Sequence, residues 1–300
     1  MNKRILFLFF GISIITLILS ISYFLLYDNS ESTKKVELNL IATLGSSDIA
    51  VGSNRLIIGI QNPQRNTITA NKISIDFFQE ENNTSVFKFS NEGYFINWPN
   101  SKSGIFTTTV DFDTPGDWLA EITPKDGEYK NQKARIVIGV KSISSTPKVG
   151  DKIPKTNNLV AINTEELKNI TSDINPLFEL YNKGVDEILL SKEKPLLLLF
   201  ATPGQCKSFT CGPQINIIKT LHENYRKDMY FVHIEVYDMQ SRNSEGEFTE
   251  ISSVIKPWNL PSEPWVFLIN KEGIITDKFE SFVPQIELEL SIKQLFNGNT

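Results

Sequence analysis

The sequence predicts a short-stranded all-β domain followed by an α/β domain whose sheet is covered by helices. Three observations carry this. Between Val36 and about Val140, short β-branched and aromatic runs often alternate and are separated by turn residues. Beyond Lys194 the order changes to strand, cysteine loop, helix, strand, hairpin and final helix. A chain of 300 residues has room for two domains of about 150 residues each, and 40% hydrophobic residues is enough to give each a core.

The elements follow in order. Lys3 and Arg4 precede an apolar stretch from Ile5 to about Tyr27. That is about 20 residues, long enough to cross a bilayer as a helix. It lacks the small-residue cleavage pattern of a secretory signal. Residues 1–28 therefore read as a signal anchor, a single transmembrane helix, with a cleaved signal peptide as the alternative. Basic residues stay on the cytoplasmic side, so the expectation is a single-pass membrane protein with extracytoplasmic soluble domains, where disulfides form. Residues 29–35 read as a short polar stalk.

In 36–141 the candidate strands are Leu38 to Thr43, Arg55 to Ile60, Ile73 to Phe78, Gly104 to Phe112, Trp118 to Ile122 and Ala134 to Val140. Asn62-Pro63, Pro115-Gly116 and Asp126-Gly127 punctuate them. Short strands with such turns predict an antiparallel sandwich. Residues 142–160, rich in Ser, Thr, Pro and Lys without periodicity, read as an interdomain linker. In 161–300, Asn163 followed by Glu165 and Glu166 offers helix-start chemistry, and Pro176 to Tyr181 continues in helical style. Then come an apolar strand ending at Phe200, a helix from Gln214 to Arg226, a strand from Met229 to Val236, a hairpin of Trp265 to Asn270 with Ile274 to Phe279, and a helix from Pro284 to Phe296.

Composition excludes some functions. A net charge of −5 lacks the basic footprint of a nucleic-acid binder. Two histidines, His222 and His233, are too few for a dedicated zinc site, and no metal or diffusible cofactor is expected. His233 reads as a hydrogen-bonded histidine on a covered sheet face.

The chain's two cysteines, Cys206 and Cys211, lie between an apolar strand and a helix start. Backbone N–H groups and the dipole at a helix N-terminus stabilise a thiolate. That position makes Cys211 the candidate nucleophile and Cys206 the resolving thiol, with Lys207 beside it. Gly212 permits a tight turn, and Pro213 suits the first helical turn, where its missing N–H costs nothing. The alternative is a permanent staple of a short loop, worth roughly 2–3 kcal/mol by loop-closure entropy.

The stretch from about Leu177 to Leu295 resembles a thioredoxin-fold domain. Thr210-Cys211-Gly212-Pro213 is similar to the first part of that family's Trp-Cys-Gly-Pro-Cys motif, and Leu260 to Leu268 to the segment carrying its cis-proline. Gln214 replaces the second cysteine, Thr210 the tryptophan, and Leu196 to Phe200 lacks the family's buried aspartate. Gly104 to Trp118 resembles the late strands of immunoglobulin-like domains. The resemblances imply a thioredoxin-like C-terminal domain behind an immunoglobulin-like sandwich. They also imply a cis peptide before Pro264, and a partner-binding rim of Gly212, Pro213, Glu263 and Pro264. The implied activity is thiol–disulfide exchange with protein thiols or disulfides. A redox-silent binding protein is the alternative. Copper handling of the Sco type is weaker, because the cysteines are one residue further apart and no histidine stands before Trp265.

Overall fold

The computed structural model describes residues 40–81, 84–99, 101–206 and 210–298. The expected transmembrane helix and stalk, together with Lys207, lie outside them.

The first seven strands are β1 (Ile41–Leu44), β2 (Gly52–Gln61), β3 (Lys72–Glu81), β4 (Thr84–Asn97), β5 (Gly104–Phe112), β6 (Gly116–Pro124) and β7 (Ala134–Val140). They pair antiparallel in one sheet of order β1-β2-β5-β4-β3-β6-β7. Alternation decides which face is inner. Leu56, Ile58 and Ile60 of β2, Ile73, Ile75 and Phe77 of β3, and Trp118, Ala120 and Ile122 of β6 all point inward and are buried. Phe77, Phe89, Phe112 and Trp118 form the aromatic centre of this core.

The edges then meet. Val51 N–H donates to the Lys141 carbonyl at 2.9 Å, and Lys141 N–H to the Ile49 carbonyl at 2.9 Å. The expected immunoglobulin-like sandwich of two facing sheets is thereby corrected to one curled, barrel-like sheet. Closure satisfies edge groups that an open sheet would leave unpaired. Strand β4, not foreseen in the sequence, makes this continuity by pairing with both β3 and β5.

The second sheet has four strands, β8 (Leu196–Phe200), β9 (Tyr230–Ile234), β10 (Trp265–Ile269) and β11 (Ile275–Glu280), in the order β11-β10-β8-β9. β8 and β9 are parallel; β10 runs antiparallel to β8 and β11. The α-helices are α1 (Val185–Ser191), α2 (Cys211–Tyr225) and α3 (Gln285–Phe296). The expected thioredoxin-like α/β class is corrected as well. Eleven strands and three α-helices make the described chain mostly β. The helical signals at Asn163 and Pro176 become only 3₁₀ turns, Thr164–Asn169 and Phe178–Leu180. Between β9 and β10 the single helical turn is Lys256–Trp258. Short polar residues there bond to nearby backbone instead of propagating helix, as Asn243 does to Glu245 and Glu247 N–H.

The longest described helices have 15 and 12 residues, against about 20 needed to cross a bilayer. No described helix is long and apolar enough to do so. The expected single-pass membrane placement with extracytoplasmic domains is corrected to that extent: no described helix supplies a span, and residues 1–28, to which it was assigned, lie outside the described residues.

Both sheets belong to one compact unit, Leu38–Thr300. Residues 142–160 are pinned along β11: Gly150 N–H donates to the Ile275 carbonyl at 2.8 Å and Ile153 N–H to Gly273 at 3.0 Å. Asp48 anchors their start, accepting from Ser145 and Thr146 N–H, each at 2.9 Å, and from the Ser144 hydroxyl at 2.6 Å. Burial opposes ionisation of Asp48, but these bonds prevail and hold its carboxyl far below the usual range.

Candidate functional site: a disulfide at a helix start

β8 is buried along its whole length, and it delivers the chain to the site at Ala201 and Thr202. Thr202 turns the chain by accepting Val236 N–H on Oγ1 at 3.0 Å while its own N–H donates to Glu263 Oε2 at 2.6 Å. The turn Pro203–Gln205 follows. Gly204 N–H donates to Ser172 Oγ at 2.9 Å. A Cβ at Gly204 would come within 2.8 Å of the Ser172 Cβ, so this approach requires glycine. Gln205 bonds the backbone of Phe248 on the other side, its Nε2 donating to the carbonyl at 2.8 Å.

Cys206 and Cys211 are joined as a disulfide, with Cα atoms 5.9 Å apart. The two sulfurs differ in setting. Cys211 is fully buried in the core formed with Leu199, Ile215 and Val283, whereas Cys206 is half-buried at its margin. Cys211 opens α2, and its N–H donates to Cys206 Sγ at 3.2 Å. The helix-start donor thus serves the sulfur of Cys206. Exposure and donor both run opposite to the roles that position alone suggested for the pair.

The remaining candidate residues gather here. Pro213 lies in the first turn of α2. Gly212 has no positive φ, and a Cβ there would meet nothing within 4 Å. It is not needed for a tight turn and leaves open space beside the disulfide. The Glu263–Pro264 peptide is cis. Pro264 is buried, and its carbonyl accepts Ser281 N–H at 2.8 Å. A carboxylate oxygen of Glu263 lies within 4.8 Å of both sulfurs. Among the described residues this is the one convergent group of three cysteine, histidine or acidic side chains. Reduced, two thiolates and a carboxylate would offer three donors to a soft or borderline cation. Gln214, where the second cysteine of the thioredoxin-family motif would stand, is buried and accepts Val283 N–H at 2.8 Å.

A polar floor lies under the loop. His233 Nε2 contacts the Ala201 carbonyl at 2.9 Å, and Nδ1 contacts Tyr181 Oη at 2.7 Å. With both nitrogens engaged, His233 stands apart from the sulfur group. Glu235 accepts from Thr171 Oγ1 at 2.7 Å and Ser172 N–H at 2.7 Å. Asp173 pairs with Lys219 at 2.6 Å. Sequence reading missed Thr171, Ser172, Thr202 and Gln205. Thr202 and Gln205 lie in the loop itself and Thr171 and Ser172 come from a separate upstream segment, so no spacing signal joins them.

No family model matches the chain, and no curated protein matches it. Solved structures with local likeness include the cell-surface-expressed chitinase ChiW of Paenibacillus sp. str. FPU-7, at 13% identity over 38% of this chain and 9% of that one, TM-score 0.22. MtrC of Shewanella baltica OS185 matches at 11% identity over 51% and 32%, TM-score 0.25. A superoxide reductase (neelaredoxin) from Ignicoccus hospitalis matches at 12% identity over 37% and 86%, TM-score 0.21. The chain thus spans less than a third of the first two proteins' length, and likenesses this low carry no functional argument.

Proposed function

We propose that the protein carries out thiol–disulfide exchange through Cys206 and Cys211, with protein thiols or disulfides as partners. The observation that carries this reading is the asymmetry of the pair. Cys206 is the sulfur a partner can reach, and it is also the sulfur that accepts the helix-start N–H at 3.2 Å. A donor at that position stabilises a thiolate, the attacking species in exchange. Cys211, sealed in the core, suits the resolving role. The likeness of the Cys-Gly-Pro and Glu-Pro segments to thioredoxin-family motifs supports the same reading at the level of motifs.

The competing reading is a redox-silent binding protein, favoured by the complete burial of Cys211. The reduction potential separates the two. Structural disulfides typically lie below about −300 mV. Equilibration of the full chain with a glutathione or dithiothreitol redox buffer should give a value above that. A lower value would leave the staple reading standing.

A further inference from the structure

The geometry points to Glu263 as the proton acceptor that activates the buried Cys211 thiol for resolution of the mixed disulfide. This rests on the exchange function proposed above. Cys211 is fully buried, so water cannot readily take its proton. A resolving thiol needs a base within reach, directly or through one water. Glu263 has a carboxylate oxygen within 4.8 Å of both sulfurs. Its Oε2 accepts Thr202 N–H at 2.6 Å. That bond fixes the carboxylate at the mouth of the loop.

Among the described residues, the surroundings leave this job to Glu263. β8 (Leu196–Phe200) and β10 (Trp265–Ile269) carry no titratable side chain. The described part of the loop and the first turn of α2 contribute only the two cysteines. On β11, Glu280 is taken by Ser47 N–H at 2.8 Å and by Ser262 at 2.6 Å, and the Lys278 ammonium reaches Ser144 and Thr146, each at 2.9 Å. In the 236–250 segment, Arg242 lies over the Phe248 ring. His233 is engaged at both nitrogens. In a site of restricted water, a carboxylate and a thiolate this close repel one another, so loss of the thiol proton is coupled to gain of a proton by the carboxyl.

The Cys206 thiolate attacks a partner disulfide R–S–S–R′, forming Cys206–S–S–R and releasing R′–S⁻. The Glu263 carboxylate takes the Cys211 proton. The Cys211 thiolate then attacks Cys206 Sγ, the Cys206–Cys211 bond forms, and R–S⁻ leaves with the electron pair. The proton held on Glu263 passes to that leaving thiolate. The partner is reduced and the cysteine pair oxidised.

The experiment mixes the reduced full chain with glutathione disulfide and follows the Cys206–glutathione adduct by quenched mass spectrometry from pH 5 to 9. Glu263→Gln should accumulate the adduct, resolve it about 100-fold more slowly at pH 7, and lose the acid-side limb of its pH–rate profile. Glu263→Asp, which keeps the carboxylate, should retain that limb with an intermediate rate. A Glu263→Gln protein that resolves the adduct at the wild-type rate with an unchanged pH profile overturns the inference and leaves the exchange function standing. A Glu263→Asp protein that folds but shows no acid-side limb also overturns it. A reduced wild-type protein that yields neither the adduct nor the Cys206–Cys211 disulfide with glutathione disulfide overturns the exchange function itself.

Discussion

Tyr181 and His233 share a buried hydrogen bond of 2.7 Å at the root of the cysteine loop. The other ring nitrogen, Nε2, faces the Ala201 carbonyl at 2.9 Å. A carbonyl can only accept, so Nε2 carries the proton. In the neutral ring Nδ1 can then only accept, so the single Tyr181 hydroxyl proton is shared between Nδ1 and Thr171 Oγ1, which lies 3.0 Å away. Burial drives the His233 pKa below its ordinary 6.5, against the opposing pull of Glu235 and the Ala201 carbonyl. It also pushes the Tyr181 hydroxyl well above its usual range, which keeps that proton in place to donate.

That pairing sets a pH dependence. The folded state resists a proton that the unfolded histidine accepts below about 6.5. His233 therefore costs no stability above that pH and costs progressively more as pH falls through it. His233→Gln should flatten the stability profile between pH 8 and pH 5, read from urea midpoints. Tyr181→Phe should cost about 1–3 kcal/mol at pH 8, because it leaves Nδ1 buried without a donor. A His233→Gln variant whose midpoint falls over this range as steeply as that of the wild type would refute the neutral-histidine assignment.

The settings of the two sulfurs predict an order of reaction. After reduction of the full chain, a limiting dose of iodoacetamide at pH 7 should label Cys206 at least about ten times faster than Cys211, since reactivity follows thiolate character and exposure. Peptide mass mapping reads the ratio. Equal labelling, or faster labelling of Cys211, would return the nucleophile's role to Cys211.

Much of this was legible in the sequence, for definite reasons. The runs at 55–60, 73–78 and 134–140 became strands because their alternation specifies one buried face. Alternation does not say whether strands close on themselves or split into two layers. That is decided by the Val51 and Lys141 bonds at the closing edge, between residues about 90 positions apart. Strand β4 escaped notice because Ser90, Asn91, Glu92 and Gly93 interrupt its apolar pattern. The cysteine pair was legible because it is local, and the cis peptide only through the likeness of Leu260 to Leu268 to a thioredoxin-family segment. The burial order of Cys206 and Cys211 was not. It depends on α2 packing its first turn under Val283, where Gln214 bonds a backbone group 69 residues away.

Arg55 of β2 ties the first sheet to β11 and α3. Its Nε and one terminal nitrogen grip Glu287 at 2.7 and 2.9 Å, and the guanidinium also donates to the Glu280 and Phe282 carbonyls. The Arg55 side chain is only 9% exposed, against 30% for Glu287. Removing one member of a well-buried pair costs about 3–5 kcal/mol, and this pair is partly wet. Arg55→Ala should therefore cost about 2–3 kcal/mol. Arg55→Lys should recover little, because a point charge cannot reproduce the fork. A double-mutant cycle with Glu287→Gln measures the coupling by urea unfolding. A coupling near zero would mean that apolar contacts, rather than this pair, hold the sheets together.

Asp277 of β11 gives the opposite sign of pH dependence. Burial raises its pKa from 3.8 to about 6, against hydrogen bonds from Ser291 on α3 and Thr276 that favour the charged form. The folded state binds the proton more tightly than the unfolded chain. No penalty exists below pH 3.8; it grows as pH rises between 3.8 and about 6 and is complete above that. Asparagine keeps the shape and removes the charge. Asp277→Asn should thus unfold at the same urea concentration as wild type near pH 3.5. At pH 8 it should be more stable by about 1 kcal/mol, a figure reduced for the water that still reaches the carboxyl. A variant equally stable with wild type at both pH values would show that Asp277 ionises in the fold at no cost. One less stable at pH 8 would show that its charge is used, and that Ser291 and Thr276 hold it for that purpose.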